Sequence, residues 1–218
     1  MNTTKPATPP DPRLRPAPFP GRPDSAEQAL AGARALRRVI ATHGADIDRR
    51  AEDPAAMMTL VGEAGLSSLA VPVELGGLWS GPGWTGVGPA PRAMLELAAG
   101  NGNVGQVWSQ STGVACSLFT TPAFPAPARE VVAHELLHEG RRLISSNAET
   151  GLVAPVTARR VDGCIVVSGT KTFNTGSGKG GRDIAVVGLR LLGGARDGKD
   201  GGDGGDAGTV HRALVRLD

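Results

Sequence analysis

Apolar residues recur at helical spacing through the first two thirds of the chain and gather into short β-prone runs in the last third. Ser25 followed by Gln28 is a capping-box pattern. Leu30, Ala33, Leu36, Ile40 and Ile47 then fall at helical intervals, which predicts a helix starting at Ser25. Asp53-Pro54 marks a second start, with Asp as N-cap and Pro at the first helical position. Met57, Met58, Leu60 and Val61 are its apolar residues, and Gly65 is the expected left-handed C-cap, with Leu66 packing back on the last turn. The stretch 71–91, with Gly76-Gly77, Trp79 and Trp84, is rich in Gly and Pro and predicts a long surface loop. Further helices are predicted over about 91–99, 103–119 and 128–139. The second of these carries Val104, Val107, Trp108, Val114 and Leu118 as its apolar face, and the third stops at Gly140.

The character changes after Leu143. Asp162-Gly163 separates two β-prone runs, 156–161 and 164–168, which is the signal of a two-residue hairpin with a primed turn. The runs 171–175, 183–189 and 211–217 read as further strands, and the Gly/Asp repeat at 193–208 reads as a flexible insert. Helices first and strands afterwards predict an α+β chain. An all-α N-terminal domain over 25–142 precedes a partial, truncated antiparallel β-barrel or sandwich expected over 143–218, behind a disordered proline-rich arm over 1–24.

Charge and composition remove several classes of function. The net charge is +2, and the arginines alternate with acidic residues, so there is no basic stripe for nucleic acid. No apolar run approaches the ~18 residues of a membrane span, and the polar N-terminus has no apolar signal core. Cys116 and Cys164 stand far apart in different contexts, outside any C-x-x-C pair. These features place the protein in the cytoplasm, with no membrane partner and no disulfide framework.

Two motifs invite catalytic readings. His134-Glu135-Leu136-Leu137-His138 fits H-E-x-x-H, which on a helix places two imidazoles one turn apart for zinc, with the Glu as general base. Against it, the helix should end at Gly140, position 144 is Ile where a third His would be needed, and Glu139 adds a charge beside the second His. A zinc hydrolase using His134 and His138 is therefore kept only as an alternative, and no metal is expected. Gly176-Ser177-Gly178-Lys179-Gly180-Gly181 fits G-x-G-x-x-G, but the residues after it are strand-like rather than helical, so a β-turn is expected instead of a dinucleotide loop. Ser145, Ser146 and Ser177 lie in no nucleophile elbow, and His43 and His211 are isolated and expected to face solvent.

Longer strings carry a family resemblance. Val71-Pro72-Val73-Glu74-Leu75-Gly76-Gly77 looks like the "VPxExGG" segment of acyl-CoA dehydrogenases, and Leu95-Glu96-Leu97-Ala98 resembles their "EELA" helix. Val161-Asp162-Gly163 and then Gly169-Thr170-Lys171-Thr172-Phe173-Asn174-Thr175-Gly176 are similar to their "DGYVLNGTKxWITNG" hairpin. The resemblance covers about 25–218. In the superfamily an all-α domain precedes a β-domain and a C-terminal helical domain follows; nothing in this chain corresponds to the last. Where the acyl-CoA branch has "TEPxxGSD", this chain has Ser146-Asn147-Ala148-Glu149-Thr150-Gly151, closer to the flavin-dependent monooxygenase branch that includes desulfurisation and sulfur-acquisition enzymes. Gly105 to Gln110 sits on the helix that approaches the flavin in that branch.

The resemblance implies a flavoprotein oxidoreductase holding FAD or FMN, acting on a small molecule, and forming a homo-oligomer or a site completed by another chain. By motif position Phe173 takes the place of an aromatic packed near the isoalloxazine, and Thr175 that of a hydroxyl near flavin N5. Asn147, Ala148 and Glu149 occupy the flavin-contacting loop. No catalytic base is implied. The other expectation is an inactive remnant, or a subunit completed by another polypeptide.

Overall fold

The computed structural model describes residues 21–50, 55–81, 88–146, 155–172, 183–192 and 210–217. The proline-rich residues before 21, the Asp53-Pro54 cap, Trp84 and the Gly/Asp repeat lie outside the described residues.

Among the described residues five α-helices come first: α1 (Ala26–Arg50), α2 (Ala55–Glu63), α3 (Pro89–Gly100), α4 (Gly102–Phe119) and α5 (Ala126–Leu137). Five strands follow: β1 (Arg142–Ser146), β2 (Thr157–Val161), β3 (Cys164–Ser168), β4 (Asp183–Leu191) and β5 (Val210–Leu217). The capping signal at Ser25 is realised with a shift. Ser25 Oγ accepts from the Gln28 amide at 3.2 Å, while Gln28 Oε1 accepts from the Asp24 amide, one residue before the expected donor. Gly65 is left-handed, with φ 66°, and Leu66 behind it is fully buried. The side chain of Asn101 caps α4, accepting from the amides of Asn103 and Val104.

The expected long loop after Val71 is in its first part a tight buckle. Short 3-10 turns at Leu66–Ala70 and Val73–Leu75 lead into a bridge between Pro72 and Trp79. The amide of Val73 donates to the Trp79 carbonyl, and that of Trp79 to the Val71 carbonyl, both at 3.0 Å. Val71 is fully buried, which is why the segment cannot remain a solvated loop. Helix α3 also starts earlier than predicted, because Pro89 serves as a first-turn proline.

The helices enclose one core. Leu36 and Ile40 of α1, Met57 and Val61 of α2, Leu97 of α3 and Trp108 of α4 pack around Leu66 and Leu69. A second core joins helices to sheet: Ala115, Leu118 and Phe119 of α4 and Val132, Ala133 and Leu136 of α5 meet Leu143, Ile184 and Val186. The opposite face of the same strands buries Ile144, Ala185, Val187 and Leu189 with Val156 and Ala158. β4 is thus apolar on both faces, the pattern of a central strand.

The sheet corrects the antiparallel barrel or sandwich expectation. β4 runs parallel to β1, with Arg142 opposite Asp183 and Ser146 opposite Val187, and parallel to the start of β2, with Thr157 opposite Arg190. Among the described residues, only the β2–β3 hairpin and the β4–β5 pair are antiparallel. The described sheet is mixed and does not close. Hydrophobic pattern fixes which residues are strand, but pairing direction depends on crossovers that it does not encode. The hairpin turn is as predicted: Asp162 (φ 47°) and Gly163 (φ 78°) are both left-handed, as a type I′ turn requires. Lys171 and Thr172, expected to open a strand, belong to none.

Candidate functional site

Because β5 pairs with β4 from Asp183 to Arg190, β1 and β2 must share the other edge of β4. They do not meet there. β1 ends at Ser146, opposite Val187, and the chain returns at Val156, whose carbonyl accepts from the Arg190 amide at 2.9 Å. Gly188 and Leu189 lie between, facing a notch in the sheet. The segment 147–154, which holds Asn147, Ala148 and Glu149, leaves and re-enters the sheet at this notch.

The second motif starts from the same place. Ser168 at the end of β3 pairs with Thr157, so Gly169 emerges beside Val156. The approach is close: a Cβ on Gly169 would lie 2.8 Å from Val156 Cα, and its φ is 142°. Thr170, Lys171 and Thr172 follow. Thr172 Oγ1 is buried and has no hydrogen-bond partner among the described residues. A buried hydroxyl left without a partner costs about 1–3 kcal/mol. Phe173 and Thr175, like Asn147, Ala148 and Glu149, lie outside the described residues. The structure brings Gly169, ahead of the segment that carries Phe173 and Thr175, against Val156, which follows the segment that carries Asn147, Ala148 and Glu149.

The base of the sheet is held by charge. Arg142 Nε donates to Asp183 Oδ1 at 2.9 Å, Arg142 Nη2 lies 2.8 Å from the same oxygen as an ion pair, and Asp183 is 1% exposed. The pair fixes the first register position of β1 against β4. Helix α4 holds the free edge of β1, where Ser111 Oγ accepts from the Leu143 amide at 3.0 Å. On α4, Trp108 is committed to the helical core, whereas Ala115 and Leu118 face the sheet.

The other sequence motifs fall elsewhere. His134 and His138 do lie one turn apart, with ring centroids 4.9 Å apart, but α5 ends at Leu137. Glu135, the base that the zinc reading requires, is buried and ion-paired to Arg216 of β5. Its Oε2 lies 2.6 Å from Arg141 Nε, off the hydrogen-bonding direction, so that contact is a charge pair. The G-x-G-x-x-G run lies outside the described residues. His43 is half-buried, its Nδ1 2.9 Å from the Val39 carbonyl, and His211 is half-buried in β5; neither is the solvent-facing side chain expected. Both cysteines are free, and burial raises the Cys116 thiol above its ordinary pKa. A groove of about 510 Å³ lined by Glu27, Leu30, Arg34 and Arg92 opens between the first turns of α1 and α3 and touches no strand. No helix among the described residues is long and apolar enough to cross a membrane.

The notch itself was not foreseen from sequence. Thr172 was passed over as one hydroxyl among several in its motif, and only the register of two strands on one edge of a third reveals the gap. The Gly169-Thr170-Lys171 string was the nearest signal.

No family model matches the chain, and no curated protein does. Solved structures do. KijD3, in complex with FMN and a dTDP-linked amino-keto sugar, matches with a TM-score of 0.66 at 19% identity over 94% of this chain and 47% of its own. TdsC from Paenibacillus sp. A11-2, in complex with FMN and indole, matches with 0.63 at 22% over 87% and 44%. The HsaA monooxygenase from M. tuberculosis matches with 0.60 at 20% over 88% and 45%. At these identities the likeness establishes the fold. The chain spans under half the length of each of these proteins.

Proposed function

We propose that this chain forms the front half of a flavin-dependent oxidoreductase of the acyl-CoA dehydrogenase superfamily, in its monooxygenase branch. Residues 25–142 serve as its helical domain and 143–218 as its β-domain. The observation that supports the reading is the notch on β4: Val156, just after the first motif segment, meets Gly169, from which the second motif runs on out of β3. Two of the structural neighbours hold FMN, which favours FMN over FAD.

The residues present fit such a group. Thr172 offers an unpartnered buried hydroxyl, suited to a ring carbonyl or nitrogen. Phe173 would shield a ring face from water, Thr175 would hydrogen-bond near N5, and Asn147, Ala148 and Glu149 would add further contacts from the other motif. A bound flavin supplies the two-electron chemistry; the chain's part is to hold, desolvate and orient it. A small organic substrate, a cytoplasmic setting and a homo-oligomeric assembly complete the reading. The test is direct: titrate the purified chain with FMN and FAD, oxidised and reduced, and follow absorbance and flavin fluorescence. Saturable binding with altered flavin bands is expected. A protein that leaves both spectra unchanged sinks the reading for this chain.

A second reading, a site completed by another polypeptide, is favoured by β3. Its Ile165, Val166 and Val167 are 55%, 52% and 38% exposed on an edge strand with no Lys or Pro to guard it. Size-exclusion chromatography with light scattering separates the two: a flavin-binding monomer removes the need for a partner.

A further inference from the structure

Sequence patterning kept the H-E-x-x-H helix only as an alternative zinc hydrolase, and the structure ties up its base while leaving its imidazoles exposed. His134 is 63% exposed, His138 is also exposed, and their rings stand 4.9 Å apart with planes tilted by 32°. Side chains four residues apart on a helix share a face, which is the spacing at which two imidazoles reach one metal ion. His138 is the C-cap of α5, so the site sits at the end of the helix where unpaired carbonyls concentrate partial negative charge. Glu139 adds a carboxylate whose Oε1 is 3.6 Å from His134 Nε2.

We propose that His134 and His138 form a two-imidazole chelating site for a late first-row divalent ion, with Zn²⁺ as the natural candidate and Ni²⁺ and Cu²⁺ as stronger-field probes. Imidazole suits all three, and water completes the coordination shell. No third His, Cys, Asp or Glu completes a ligand set among the described residues, so the ion is exchangeable rather than a buried structural centre. The site is also not hydrolytic. Glu135, one residue round the helix, is buried and tied to Arg141 and Arg216, so it cannot take a proton from a metal-bound water. What the ion does is structural. It staples the last turn of α5, the same turn that carries Glu135 of the Glu135–Arg141–Arg216 cluster that ties this helix to β5.

The chain has only four histidines, which makes the assignment testable on the intact protein. Isothermal titration with ZnCl₂, and retention of the untagged chain on an immobilised Ni²⁺ column, should report one site per chain. His134→Ala or His138→Ala should weaken binding by roughly a hundredfold, because each leaves a single imidazole without its chelate partner. Both side chains are exposed, so these variants keep the fold. Glu139→Gln should weaken binding less, and His43→Ala should leave it unchanged. Zn²⁺ should also raise the melting temperature of the wild type, and not that of the double variant. Binding that survives in the His134→Ala/His138→Ala protein with unchanged affinity overturns the proposal, as does a wild type that takes up no Zn²⁺ or Ni²⁺ at millimolar concentration.

Discussion

Replacing Gly77 by alanine is the sharpest probe of the buckle on which the helical layer and the sheet both rest. A Cβ at this position would lie 1.9 Å from the Val71 carbonyl oxygen, 2.5 Å from its carbon and 2.6 Å from Val71 Cβ. Two of these atoms are backbone, and Val71 is fully buried, so no side chain can swing aside. The backbone must move by about an ångström, at a cost of roughly 1–3 kcal/mol for overpacking. The Val71 carbonyl is the acceptor for the Trp79 amide, and the Gly77 amide donates to the Pro72 carbonyl, each at 3.0 Å. Losing both bonds costs about 1 kcal/mol apiece. The sum is about 3–5 kcal/mol, a large part of the 5–15 kcal/mol that holds an ordinary domain. Gly76→Ala is the control: its φ of 85° strains a side chain, but the nearest atom is Leu137 Cδ1 at an ordinary 3.8 Å, so the cost is about 1–2 kcal/mol. Urea unfolding followed by circular dichroism gives both values from midpoints at common slope. A Gly77→Ala protein within about 0.5 kcal/mol of wild type would falsify the contact geometry.

Three further outcomes follow from named contacts. Asp183→Asn leaves Arg142 half-paired in the sheet and should destabilise by about 3–5 kcal/mol, whereas Arg142→Met with Asp183→Leu should recover most of that loss; an additive double variant in urea unfolding would count against a buried pair. Thr172→Val removes a buried hydroxyl with no described partner, so apo stability should hold or rise while FMN affinity falls about threefold to tenfold; a drop in stability with unchanged affinity would contradict its assignment to the cofactor. Hydrogen bonds from Arg37, and next from Arg34, hold the Glu96 carboxyl below the usual carboxylate range. A lowered folded-state value contributes stability that is present above that range and lost as the pH falls through it, so Glu96→Gln should flatten the acid limb of a stability–pH curve, and an unchanged limb would refute the coupling.

Local signals were legible where one residue type has one physical use. Ser25, Gly65, Asp162-Gly163 and the helical spacing of Leu36 and Ile40 each placed an element within a few residues of its observed bounds. The buckle was missed because a Gly- and Pro-rich run reads as solvent-exposed loop unless the burial of Val71 is known. The sheet direction was missed because β1 and β4 are brought together by a crossover, and Arg142 and Asp183 are forty-one residues apart in sequence. His43 was misplaced because its ring folds back onto the Val39 carbonyl of its own helix, a bond that gives no pattern.

The candidate site shows why motif and site are legible to different degrees. Gly169 to Thr172 was recognisable as a string, yet its position depends on Gly169 meeting Val156, and that contact exists only because β2 starts where β1 has stopped. The wall made by β1 and β4 is buried on both faces and locked by Arg142 and Asp183. The wall made by the β2–β3 hairpin is not: every residue of β3 is exposed, and Val161 at the end of β2 is 46% exposed. The notch is therefore rigid on one side and weakly held on the other, and it is the weakly held side that delivers Thr172. Under the proposed function, a flavin in this notch would rest on one firmly packed wall and one exposed wall, and any energy spent fixing the exposed hairpin would be subtracted from its affinity. Under the same reading, a second chain or copy that covers Ile165 and Val166 would raise flavin affinity without touching the flavin, and flavin would tighten that association by the same factor; equal FMN affinity across a concentration series spanning any self-association would refute the coupling.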